Sequence, residues 1–409
     1  MSNRLALARR PSSSRLLAIV LDEPELALQV SSLAPRVLGA LISQVGLEDA
    51  GELVALATTD QLVEIFDEDL WRSERVGQDE SFDAARFLVW LEVMMEAGEA
   101  FVADKLVSLP QDLVTLAFHR QVLVLELEAL RSEIEDAGED GSSIDKALES
   151  CLGEEIDDYQ IVSRNHDGWD VVLAALLALD RDHHAYLVRL LERCCRMSAG
   201  VIDDAGGLYE VLTAEEMLES DAAGDREDRR AEAGFVAPSD ARAFLGLAAP
   251  KPGDVERDPM TRAYFRRLGR GAAARVGQPA DAQGVPARLL ALLSEAGVVE
   301  NGSPKLPASR AGREASNLFF EAMRRLEVEA PATYAERREE LAYLANVLVS
   351  GHAHRGRRLR PIEALQLAVE ACERGIQRSL ERTKRRRDER ALEKLRTVPA
   401  DVLFRLGFR

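Results

Sequence analysis

Pro35-Arg-Val-Leu38-Gly-Ala-Leu41 is a phrase that the chain uses more than once: Pro110-Gln-Asp-Leu113-Val-Thr-Leu116 repeats its shape, and Thr59-Asp60-Gln-Leu62-Val-Glu-Ile65 keeps it without the proline. Proline suits a first helical turn because it has no N–H to leave unpaired, and apolar residues three apart turn one face inward. The copies that begin at Thr59 and Pro110 are offset by 51 residues. Each follows another helical pattern, over 47–57 and 99–107, so the spacing predicts helical hairpins stacked side by side. The phrase returns as Pro399-Ala-Asp-Val-Leu403.

Composition agrees with that reading. Of 409 residues 46% are hydrophobic but only 5% aromatic. Abundant Ala, Leu and Glu favour helix-on-helix packing over sheets rich in Val, Ile, Tyr and Thr. The expected class is all-α: short amphipathic helical hairpins forming a superhelix, then helical bundle regions, with at most one minor β-hairpin. That hairpin is placed at Tyr159-Gln-Ile-Val162 and Trp169-Asp-Val-Val172, around Asn165-His-Asp-Gly168.

A chain this long exceeds one core. The expected organisation is an N-terminal arm (1–23), a superhelical region (24–131), an acidic linker (132–158), a middle helical region (159–249), a flexible connection (250–284) and a C-terminal bundle with a basic face (285–409). The linker holds eleven acidic residues against the single Lys146. Charge is divided as well: the net charge is -19, and residues 310–409 carry 22 Lys and Arg against 15 Asp and Glu, which leaves the rest strongly acidic. Such halves attract opposite partners, or each other.

Four cysteines, two of them adjacent, make a poor disulfide framework and point to a reducing compartment, so the cytoplasm is expected. Arg9-Arg10 precede an apolar run at 16–21 that ends at Asp22, too short for an export signal. The apolar stretch 171–179 falls well short of the ~20 residues a bilayer demands.

Gly46-Leu-Glu-Asp-Ala50 through Phe66-Asp-Glu-Asp-Leu-Trp71, with Arg229-Arg-Ala-Glu-Ala-Gly-Phe235 and Leu344-Ala-Asn-Val-Leu348, resemble an uncharacterised bacterial family known only as a domain of unknown function. The resemblance covers most of the chain and implies no activity. Residues 47–70 are also similar to the helical superhelix at the N-terminus of MgtE-type magnesium transporters and to flagellar motor-switch N-domains, which implies a shape and no task.

Residues that could carry chemistry are scattered. His183-His184 and Cys194-Cys195 are zinc-type ligands, but along one straight helix the pairs stand about 16 Å apart, so only a bend or a further ligand such as Cys151 or His166 would unite them. Carboxylate groups at Asp67-Glu68-Asp69, Glu154-Glu155 with Asp157-Asp158, and Asp203-Asp204 suit hard cations, although 71 acidic residues make such groups common. No G-x-S-x-G, P-loop or G-x-G-x-x-G occurs in the required context.

A basic patch comprises Arg357, Arg358 and Arg360 in a loop and Lys384, Arg385, Arg386 and Arg387 on a long final helix. Acidic residues alternate with it, and it holds no aromatic to stack on a base. Residues 288–306 resemble the last helix and wing of a winged-helix domain, but the helix lacks a base-reading face.

The expected function is therefore non-catalytic: an intracellular protein-interaction or scaffold protein, with no cofactor and another protein as partner. Trp71, Phe82 and Trp90 are the candidate anchors, with core packing as their alternative role, since Phe82, Arg86 and Trp90 repeat at four. The alternatives are a divalent-metal sensor or metalloenzyme, and a nucleic-acid-associated protein using the basic C-terminal helix or the winged-helix-like segment. Neither a membrane nor a small-molecule substrate is expected.

Overall fold

A computed structural model of the protein describes residues 18, 29–73, 75, 78–136, 146, 148, 150–198, 214–250, 256–272, 318–354, 357–380 and 387–408. Helices predominate, and the described strands form short antiparallel sheets. The chain divides into two compact units. One holds the described residues up to 72 and from 81 to 225, and the other holds 73–80 together with those from 226 onward.

In the N-terminal unit the three copies of the opening phrase all start helices. Pro35 begins α1 (Pro35–Val45), whose buried face is Val37, Leu38, Leu41, Ile42 and Val45. A 3-10 turn at Leu47–Asp49 and α2 (Gly51–Leu56) replace the single helix expected over 47–57. Thr58 caps α3 (Thr59–Asp69) through a reciprocal capping box: Gln61 N–H donates to Thr58 Oγ1 at 3.2 Å and Thr58 N–H to Gln61 Oε1 at 2.8 Å. The Gln61 amide also donates to the carbonyls of Val30 and Leu33, so one buried side chain ties three segments.

The chain continues through β1 (Trp71–Arg72), β2 (Ser81–Phe82), α4 (Ala84–Glu96), α5 (Glu99–Ser108) and α6 (Gln111–Gln121), the last with Pro110 as its N-cap. Then come β3 (Val122–Glu126), α7 (Leu127–Asp136), β4 (Gly153–Ile156), β5 (Tyr159–Ser163) and α8 (Trp169–Ser198). Helix α8 packs on α4, α5, α6 and β3 through Val172, Ala175, Leu176, Leu179, Leu187, Leu190 and Leu191.

The expected hairpin is corrected in part. Tyr159 does open a strand, but Trp169 opens α8, because the apolar residues after it recur at three and four and Gly168, at φ +80°, turns the chain into the helix. Strand β5 is instead the centre of a sheet ordered β3-β5-β4, with Val124 opposite Ile161 and Ile156 opposite Tyr159. Strand β4 lies within the acidic stretch 132–158.

Helix α9 (Ala214–Glu232) leads into the second unit, which holds α10 (Pro238–Gly246), α11 (Pro259–Ala272), α12 (Leu318–Glu329), α13 (Pro331–Gly351), β6 (Ala353–His354), β7 (Arg357–Arg358), α14 (Pro361–Leu380), α15 (Arg387–Thr397) and α16 (Ala400–Gly407). Of the long final helix expected from the sequence, α14 and α15 are described, and residues 381–386 between them lie outside the described residues. Phe244, Tyr343 and Phe404 meet in the core, with Phe244 edge-on to Tyr343 and stacked on Phe404. Among the described residues no helix is long and apolar enough to cross a membrane.

Helices α14 and α16 pack most intimately. A methyl group added at Gly375 would overlap the carbonyl oxygen of Leu403, and one at Gly407 would overlap that of Ala371. Gly375→Ala should therefore lower stability by about 1–3 kcal/mol, the usual cost of overpacking. Gly224, inside α9, has open space around it. Gly224→Ala should raise stability by about 0.5–1 kcal/mol, since alanine is the better helix former. Urea unfolding followed by circular dichroism checks both; a Gly375 variant as stable as the parent would refute the close approach.

Candidate functional site

The β4–β5 hairpin closes in two residues, because Ile156 pairs with Tyr159. Asp157 takes a left-handed conformation there, φ 52°, which Asp tolerates better than most side chains. The turn is held to the next layer by Leu127 N–H donating to the Asp158 carbonyl at 2.8 Å.

Between this turn and α7 lies a cleft of about 730 Å³. Helix α7 lines it with Glu128, Arg131 and Glu135, spaced three and four apart on one face, the hairpin adds Glu155, Asp157 and Asp158, and Glu126 completes it. Six carboxylates thus surround one guanidinium. Such walls suit cationic groups and repel anions.

Asp157 also meets α8. His184 Nδ1 lies 2.8 Å from Asp180 Oδ1, one turn earlier, and His184 Nε2 lies 3.6 Å from Asp157 Oδ2. One ligand atom from each of the three residues falls within 4.8 Å of the others, a spacing open to a metal ion. The hydrogen bond with Asp180, and then the Asp157 charge, hold the His184 imidazole above its ordinary pKa.

The helix kinks beside this group, at His183, whose backbone is non-helical. His183 Nε2 pairs with Asp104 at 2.8 Å. The kink does not unite the histidines with the cysteines, because nine residues of the second helical segment, 185–193, still intervene. Cys194 is buried, its thiol 3.8 Å from the Thr115 carbonyl oxygen, and burial pushes its pKa up to about 12. Burial also pushes up the half-buried Cys195. Thiols held neutral in this way are poor metal ligands.

The candidate anchors sit in the core. Trp71 is 5% exposed and edge-on to the half-buried Phe82. Trp90 is 1% exposed, edge-on to Phe66, and donates its indole N–H to Asp69 Oδ2 at 2.6 Å. Of the basic patch, Arg360 and Arg387 are exposed. The Arg357 and Arg358 side chains, and Lys384, Arg385 and Arg386, lie outside the described residues, as does the winged-helix-like segment 288–306.

Because His184 gains its proton affinity in the folded chain, its contribution to stability is present below its ordinary pKa of 6.5 and is lost as pH rises through the elevated one. Titration by NMR should place its midpoint above 6.5. Asp180→Asn should bring the midpoint down further than Asp157→Asn, and an unchanged midpoint in both variants would break the assigned group.

No curated protein matches the sequence, and no solved structure matches it. The full chain, residues 1–409, matches a family of unknown function (DUF6178), and the protein belongs to that family.

Proposed function

We propose that this chain is a non-catalytic binding protein, and that the acidic cleft of its N-terminal unit receives a basic segment of a partner protein. The observation that carries the reading is the cleft itself, with six carboxylates drawn from β3, α7 and the hairpin. Lysine and arginine side chains answer such walls directly, and the strongly acidic sequence before residue 310 steers cationic partners toward them. The cleft is solvent-exposed and polar, unlike the mostly apolar pockets that enclose small substrates. The scaffold role and the cytoplasmic setting belong to the same proposal.

The test uses an oligolysine peptide as probe, with binding followed by calorimetry at low and high salt. Exposed ion pairs contribute about 0.2–1 kcal/mol each, so Glu128→Lys with Glu135→Lys should weaken binding by roughly 2- to 30-fold. Binding should also weaken with salt. Equal affinity in parent and double variant would remove the cleft from the interaction.

A second reading rests on Asp157, Asp180 and His184: a divalent cation at the mouth of the cleft. The imidazole must lose its proton to ligate, so affinity would rise with pH. Zn²⁺ or Mn²⁺ should then raise the melting temperature of the parent and not of His184→Ala. No shift in the parent at millimolar metal would discard this reading.

A further inference from the structure

The C-terminal unit contains an ionisable cluster far more enclosed than the cleft. Glu340 on α13 is 1% exposed and well served. It is ion-paired with Arg337, one turn earlier, and with Arg257, and it accepts the Ala400 N–H at 2.7 Å. A carboxylate from α13 thus holds the first turn of α16, where the helix dipole also favours negative charge. Asp258 is occupied too: it accepts the N–H groups of Met260 and Thr261 and the Thr261 hydroxyl, and lies 3.7 Å from Arg405.

Asp401, next along α16, is treated differently. It is 0% exposed, and among the described residues no group of another residue donates a hydrogen bond to either of its carboxylate oxygens. Its ion-pair contact is Arg257 Nε at 3.2 Å, and the Arg257 guanidinium is shared with Glu340. An enclosed carboxylate that shares its nearest guanidinium with another is costlier ionised than neutral, although Arg257, its own backbone N–H and Arg337 offset part of that cost.

We propose that Asp401 is a proton-operated latch: with its carboxyl neutral, α16 is held against α13 and α14, and loss of the proton loosens that helix. The rest of α16 has no slack to accommodate a new charge. Gly375 and Gly407 set the helices at backbone contact, and the far end is tied down by Arg374 and Arg378, which donate to the carbonyls of Gly407 and Leu406. The groups facing Asp401 are Arg257 and Asp258, then Arg337, Glu340 and Tyr343 from α13, Cys372 from α14, and Arg405 on its own helix. Burial pushes the Tyr343 hydroxyl and the Cys372 thiol well up, so neither titrates in acid. Burial likewise pushes Asp401 up to about 6 from 3.8, with Arg257 pulling it back.

A carboxyl with a raised folded pKa stabilises the fold least when ionised. The latch is therefore fully closed below about pH 3.8, loosens up to about 6, and stays loose above. Hydrogen exchange of the full chain, read on the peptide spanning 400–408 and corrected for intrinsic rates, tests this. Opening should rise roughly tenfold per pH unit up to about pH 6, about 30-fold from about pH 4.5, and level off beyond. In Asp401→Asn, which keeps the shape of the neutral acid, the profile should be flat. The same slope in that variant, or no slope in the parent, overturns the latch. Should the variant fail to fold, ¹³C titration of the parent aspartates decides: one midpoint near 6 supports it, and all midpoints below about 4.5 overturn it.

Discussion

The apolar stripe of α8 is the constraint on which the N-terminal unit depends. Its buried leucines meet α4, α5, α6 and β3, and each such side chain contributes roughly 1.5–3 kcal/mol by leaving water. The stripe fixes where Asp180 and His184 emerge, and through β3 it fixes the sheet whose hairpin carries Asp157 and Asp158. The cleft is thus a by-product of core packing: its walls are the solvent faces of elements whose other faces are buried.

Charge is handled in opposite ways at the surface and inside. Around the cleft, carboxylates outnumber cations and stay exposed, where water and salt moderate their repulsion. Inside the C-terminal unit, Glu340 and Asp258 are matched by guanidiniums and backbone N–H groups, which is the condition for burying charge at acceptable cost. Asp401 departs from that condition.

Helix starts were the most legible part of the sequence, because they depend on local chemistry. Pro35, Thr58, Pro110 and Pro399 each stand where a helix begins, and their cap preferences act within one turn. The strands were harder to read. Val122-Leu-Val-Leu125 is apolar at every position, a pattern that a buried strand shares with a buried helix, and Gly153-Glu-Glu-Ile156 buries only Ile156 among acidic neighbours. The candidate site was visible in pieces. Asp157 stood in one carboxylate group and His184 beside the cysteines, and the four-residue step from Asp180 to His184 was readable as one helix face. Their meeting rests on β5 pairing with β3 and on β3 packing against α8, neither of which local patterns encode.

One feature of the chain's path bears on how it can be cut and how it folds. Glu80, 5% exposed as a side chain, lies with the second unit, where it pairs with Arg226 and Arg230 from α9 across 146 and 150 residues of sequence. The second unit is thus assembled from discontinuous stretches. Any fragment that begins at 226 withdraws a carboxylate from two guanidiniums and leaves that unit chemically incomplete, so the two units cannot be separated by a single scission. Closing a loop of that length costs on the order of 4 kcal/mol in chain entropy, which places the Glu80 contacts late in folding, after both flanking regions have drawn together.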